Sequence, residues 1–278
     1  MSSRGLILLL SALLTTGSVY GQTPAPSDEI RFGSVAMTIP AEMHQRLTPL
    51  TRYLTETLHR PVSLKLSPNM PAAIKDVSAG EVELAYLTPV AYISAHDKGG
   101  AKLVVKTVTN GEASFQLMIV VKADSPIKTI ADLAGKSFAF GDKAALLQRA
   151  VVVGAGMPLE KLSDYKFIGH YDNIALGVAN GDFDAGILKD TLAHKWETKG
   201  LRIIHASAPL PPYNITAGKH VDDAVVAQIR AAFLALDAKN PKHAEVIQAL
   251  DKEYDGFQAT DDNDYDVVRK LIQPFQTN

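Results

Sequence analysis

Apolar residues in this chain switch their spacing between two and three-to-four almost from end to end, which confines the fold to strands interleaved with helices. Ile30 and Phe32 alternate with polar neighbours in EIRFGSVAM, a first strand. Met43, Leu47, Leu50, Leu54 and Leu58 follow at spacings of three and four and mark the buried stripe of a helix. RPVSLKLSP gives a second strand, with Val62, Leu64 and Leu66 on one face. MPAAIKDVSAG is a short helix closed by Gly80, VELAYLTP a third strand and VAYISAHDKGG another helix. This order is the pattern of a mostly parallel, doubly wound sheet.

The pattern restarts downstream. AKLVVKTVT and SFQLMIVVKADS read as two strands with a turn at Asn110-Gly111. KTIADLAGKSFAFGD opens a new unit, where Thr129 and Asp132 have capping-box spacing with Asp in place of the usual Glu or Gln. The helices AALLQRAVVVGAG and DNIALGVANG alternate with the strands SFAFG, YKFIGH, FDAGIL and LRIIHAS. PLPPYNITAG is an extended crossing, and DDAVVAQIRAAFLAL, PKHAEVIQALD and DYDVVRKLIQPF are closing helices. The expected architecture is α/β with two lobes: residues 28–120 in lobe 1, 121–208 in lobe 2, and 209–278 returning to lobe 1 with the C-terminal helices. The chain is expected to leave lobe 1 near 118–124 and re-enter it near 208–216. Two crossings make a hinge and a cleft, the usual place for a small ligand.

Composition removes several function classes. The formal net charge of −2 lacks the basic surplus of a nucleic-acid-binding protein. There is no cysteine, which excludes disulfides, thiolate chemistry, Cys-ligated metals and a lipid anchor on an N-terminal Cys. The eight histidines include no pair at i, i+3 or i+4, and neither G-x-S-x-G nor a P-loop occurs. No cofactor, metal or catalytic constellation is expected. Arg4 followed by the apolar run Gly5 to Val19 fits a secretory signal peptide over residues 1–21, with Gln22 as the first mature residue. A membrane anchor is the alternative for that run. The expected location is periplasmic.

The stretches FGSVAMTIPAEMHQRLTPLTRYLTETLHRPVSL, GEVELAYLTPVAYISAH, IKTIADLAGKSFAFGD and GHYDNIALGVANGDFDAG together resemble the phosphonate/phosphite/phosphate-type solute-binding proteins of ABC transporters. The resemblance runs from about residue 29 to 275 and implies a type II periplasmic-binding-protein fold whose lobes close on a ligand. It also implies site positions. The family's aromatic residue after the first strand is replaced by Met37, with Thr38 next to it. Its G-P-x-x-Y helix start becomes Thr88, Pro89 and Tyr92. Its Ser-Thr-Ser grip on the phosphonate oxygens becomes Ala145, Leu146 and Leu147, beside Lys143. Its His aligns with Tyr171, preceded by His170, and the carboxylates that meet an amino group become Thr191 and Asn214, with Asp190 adjacent.

Three lost hydroxyls would each have supplied a charge-assisted bond worth about 1.5–3 kcal/mol. The resemblance therefore implies a monomeric, non-enzymatic capture protein with an altered small ligand. It would partner either an ABC permease or the periplasmic domain of a sensor kinase; an enzyme with an unrecognised site is the remaining alternative. Asp142 is expected to cap the following helix, and Asp184 to hold cleft loops by hydrogen bonds.

Overall fold

The computed structural model describes residues 29–35 and 40–276. The expected signal peptide and the candidates Met37 and Thr38 lie outside the described residues. The first part of the chain forms β1 (Ile30–Val35), α1 (Pro40–Leu58), β2 (Val62–Ser67), α2 (Met70–Ser78), β3 (Leu84–Leu87), α3 (Pro89–Gly99) and β4 (Lys102–Thr109). A second unit holds β5 (Leu117–Lys122), β6 (Ser137–Phe140), α4 (Leu146–Gly154), β7 (Asp164–Phe167), α5 (Tyr171–Asn180), β8 (Ala185–Lys189), α6 (Asp190–Glu197) and β9 (Leu201–Ala206). The chain ends with β10 (Asn214–Ala217), α7 (Asp223–Leu234), α8 (Pro241–Gln248), β11 (Tyr254–Gln258) and α9 (Asp266–Ile272).

These strands build two sheets, β11-β4-β10-β3-β1-β2 in lobe 1 and β7-β6-β8-β5-β9 in lobe 2. Both are mixed. β1 pairs in parallel with β2 and β3, and β6 with β7 and β8. β10 runs antiparallel to β3 and β4, and β5 antiparallel to β8 and β9. The reason is geometric. β5 and β10 each start at the junction between the lobes and run outward, whereas strands that feed a helix run toward it. The α1 stripe is laid down as its spacing requires: Met43, Leu47, Leu50 and Leu54 are buried in the lobe 1 core, and Leu58 packs at its edge.

Two boundaries differ from the sequence reading. The first passage between sheets falls at 110–116, ahead of β5, rather than near 118–124. Asn110 and Gly111 do form a tight turn, both with positive φ (53° and 78°), which brings Thr109 opposite Glu112. No hairpin follows, because β10 and β11 already occupy both sides of β4. β5 instead takes an interior position in lobe 2, where Leu117 through Val121 are all buried. The second passage, between the end of β9 and the start of β10, lies within the expected 208–216 region.

The other difference is at the C-terminus. α9 does not stay with lobe 1: it lies against α4 of lobe 2 as well as α3 of lobe 1. A Cβ on Gly154 would sit 2.8 Å from the end of the Leu271 side chain, so the two helices approach closely there. The acidic run at 261–266 fastens this strap. Asp262 accepts from the Tyr92 hydroxyl at 2.6 Å and from Arg269, while Asp264 pairs with Lys106 at 2.9 Å. Tyr92 is 1% exposed and its ring meets Tyr265 edge-on at 4.7 Å. Burial pushes the Asp262 carboxyl up, but Arg269 and the Tyr92 hydroxyl outweigh it and hold the group below the usual carboxylate range.

Tyr92→Phe removes the buried donor and should lower the unfolding free energy at pH 7 by about 1–2 kcal/mol in urea denaturation. A carboxylate depressed by folding contributes stability that is present above its unfolded pKa and lost as pH falls through the folded one. The deficit of the variant should therefore shrink below pH about 4. A deficit independent of pH would remove Asp262 from the account.

Candidate functional site: the cleft between the lobes

The two passages pair with each other. Phe115 N–H donates to the Leu210 carbonyl at 3.0 Å, and Leu210 N–H to the Phe115 carbonyl at 2.8 Å. A cavity of about 750 Å³ opens beside this ribbon. One wall comes from lobe 1, at the end of β4 and the start of β11; the other comes from the first residues of α5 and α6 in lobe 2.

Aromatic side chains dominate the lobe 1 wall. Tyr213 stacks at 5.0 Å on Tyr86, and the Tyr86 and Tyr254 hydroxyls share a hydrogen bond of 2.6 Å. Tyr213 keeps a partial exposure to the cleft, and its hydroxyl has no hydrogen-bond partner among the described residues. Burial raises its pKa to about 12, helped by the nearby Tyr171 and Asp251. Asp251 caps its own loop by accepting from Glu253 N–H at 2.9 Å.

The lobe 2 wall is more polar. Tyr171 opens α5, and burial raises its pKa against the opposing effect of the Gln148 amide beside its hydroxyl. Asp190 accepts from Gln116 N–H and Thr191 N–H, both at 2.7 Å, and its own N–H donates to the Gln116 carbonyl. It thereby joins the first passage to the start of α6. Lys189 reaches across the cleft to Glu253 at 3.6 Å. The lining holds Glu112, Asp190, Asp251 and Glu253 against a single lysine, so its potential is negative.

The turn at 141–148, expected from the resemblance to stand at the phosphonate grip, holds a set of internal hydrogen bonds. Asp142 accepts from Ala144 N–H through its carboxylate at 2.7 Å and from Ala145 N–H through its carbonyl at 2.9 Å. Leu146 N–H donates to Ala144, Gln148 N–H to Ala145, and Gly141 N–H to the buried Gln148 side chain at 2.8 Å. A Cβ on Gly141 would come within 2.9 Å of the Gly169 carbonyl, so this turn packs tightly against the start of α5. Several amides of the turn are thus engaged within it, that of Ala144 by a carboxylate of the chain itself.

Of the positions read from the sequence, Tyr171 and Thr191 line the cavity. Tyr92 does not; it is the buried clamp of the C-terminal strap. Thr88 caps α3, accepting from Ala91 N–H at 3.2 Å. Asn214 is fully buried inside the lobe 1 sheet, where its side-chain oxygen accepts from Thr216. Lys143 and His170 are exposed and lie outside the lining, as do Ala145, which starts α4, and Leu146, which packs on the lobe 2 core. Asp184 holds the start of β6 through Ser137, at the end of the sheet away from the cleft. Tyr213, which the sequence places in the crossing segment as a hinge or ligand residue, lines the cavity, while nothing in the sequence reading points to Phe115, Lys189, Asp251 or Tyr254. Only the pairing of the two passages and the position of β11 bring these together.

Two α/β lobes joined by a short ribbon, with a cavity at the join, define a type II periplasmic binding fold. The match extends to family level. Residues 32–265 fit the family described as ABC transporter, phosphonate, periplasmic substrate-binding protein, and the chain belongs to it. Members of that family are substrate-binding components of transporters, not enzymes. The chain is 29% identical over 176 residues to the phosphate-import protein PhnD of Mycolicibacterium smegmatis, covering 56% of this chain and 55% of that protein, so it spans about half the length of that relative.

The fold is shared with XAC2383 from Xanthomonas citri bound to chloride, at a TM-score of 0.75 and 21% identity over 90% of this chain and 98% of that one. PhnD1 from Prochlorococcus marinus in complex with methylphosphonate gives a TM-score of 0.70 at 16% identity, over 91% and 100%. Among the described residues, no helix is long and apolar enough to cross a membrane.

The two tyrosines of the lobe 1 wall should respond differently to loss of the hydroxyl. Tyr86→Phe removes the buried hydrogen bond to the Tyr254 hydroxyl and should cost about 1–3 kcal/mol in chemical denaturation. Tyr213→Phe should stay within about 0.5 kcal/mol of the parent. An equal loss in both would mean that the Tyr213 hydroxyl is bonded within the fold rather than free for a ligand.

Proposed function

We propose that this protein is an extracytoplasmic solute-binding protein that captures a small molecule between its lobes by hinge closure and presents it to an ABC permease. The observation that carries the reading is the cavity at the paired passages, walled by both lobes in a chain of the phosphonate-binding family. Tyr171 and Thr191 are its proposed contacts from lobe 2, and Tyr213 and Asp251 from lobe 1.

The solute is not a phosphonate or phosphate. A dianion enclosed in a cleft needs several directed donors or cations. Here Asp142 and the turn's own carbonyls hold the Ala144, Ala145, Leu146 and Gln148 amides, and the one lining lysine is engaged by Glu253.

Thermal unfolding with a small-molecule panel, followed by small-angle scattering of the hits, tests this. A true ligand at a hundredfold excess over its Kd stabilises by about 2.7 kcal/mol. It should also reduce the radius of gyration as the lobes approach. Methylphosphonate and inorganic phosphate should do neither. Stabilisation and compaction by methylphosphonate would overturn the altered specificity, and hits that stabilise without compaction would overturn closure.

A further inference from the structure

We propose that the ligand of this cleft is a small organic cation, a protonated or quaternary amine, held between the Tyr171 and Tyr213 rings and faced by the carboxylates of the lining. This rests on the solute-binding reading and specifies the ligand's charge.

Three observations support it. Each lobe contributes a tyrosine to the lining: Tyr171 from the start of α5, and Tyr213, stacked on Tyr86 at 5.0 Å. A cation within about 6 Å of such a ring is attracted by its quadrupole, most strongly where water is displaced. The unpartnered Tyr213 hydroxyl also offers an acceptor to an ammonium N–H.

The second observation is charge. Four lining carboxylates face a single lysine, and Lys189 is already spanning the cleft to Glu253. Lys189 thus occupies, from within the chain, a place that suits a positive group. An anion would have to enter against this field and detach the lysine first; a cation enters with it.

The third is the kind of cation. Among the described residues, no group of three His, Cys, Asp or Glu is placed to hold a metal ion. Both Asp190 oxygens are engaged by backbone N–H groups, and Asp251 caps its own loop. The carboxylates therefore provide field rather than a coordination shell. Together with aromatic walls and a volume of about 750 Å³, this fits an apolar-bodied cation better than a bare ion.

The test is titration calorimetry on the protein with choline, tetramethylammonium and putrescine. The controls are 3,3-dimethylbutanol, the neutral isostere of choline, together with methylphosphonate and phosphate. At least one cation should bind, and for a choline-type hit the neutral isostere should be tenfold weaker or more. Lys189→Met should tighten the cation threefold or more, because it removes a competing charge; for an anionic ligand the same change weakens binding. Tyr213→Leu should weaken the cation at least tenfold, and Asp251→Asn at least threefold, with melting curves confirming that each variant folds. Equal binding of the neutral isostere, or weaker cation binding by Lys189→Met, overturns the inference. Binding of the oxyanions without any cation overturns it and leaves solute capture standing. No binding by any compound overturns both.

Discussion

The reciprocal hydrogen bonds between Phe115 and Leu210 are the constraint on which the rest of the molecule depends. Pro209, Pro211 and Pro212 flank Leu210 and have no N–H, so Leu210 supplies the backbone donor of that stretch. Its bond to Phe115 fixes the second passage against the first. With the passages paired, β5 and β10 must leave the junction in opposite directions, one into each sheet, and both enter antiparallel to their neighbours. The cavity opens beside that pairing, with a wall from each lobe. Asp190 extends the junction into lobe 2 by holding Gln116 and the first turn of α6. The α9 strap adds a further tie between the lobes, away from the cavity lining.

The family's fold is retained here, and we propose that its anion chemistry is replaced. In the turn before α4, the Asp142 carboxylate already engages the Ala144 amide. In the cleft, carboxylates outnumber the one lysine, and that lysine is paired across the gap. On the proposed reading each feature alone would weaken an anion, and together they favour a cation. The Lys189–Glu253 contact is half exposed and worth little as a source of stability. Its significance lies in what it occupies.

Much of the fold was legible because its signals are local. The period changes, the Asn110-Gly111 turn and the stop at Gly181 each depend on a few adjacent residues, and each element formed. The first passage was misplaced because a tight turn says nothing about which sheet receives the strand after it. The site divided along the same line. Tyr171 and Thr191 sit at helix starts, which an α/β fold places at the junction, and both line the cavity. Tyr92 also sits near a helix start, but its partner Asp262 is 170 positions away, so nothing nearby in the chain marks it as core. Asp251 follows α8 in an irregular loop and Tyr254 opens β11, and only the pairing of β11 with β4 carries them to the cleft.

The most direct measurement is a crystal structure of the protein grown with choline and methylphosphonate together. The account predicts closed lobes, with the trimethylammonium group between the Tyr171 and Tyr213 rings, within about 6 Å of their centroids. The turn at 141–146 should keep its internal hydrogen bonds. Methylphosphonate seated on the amides of that turn, with the tyrosine-lined cavity empty, would contradict it.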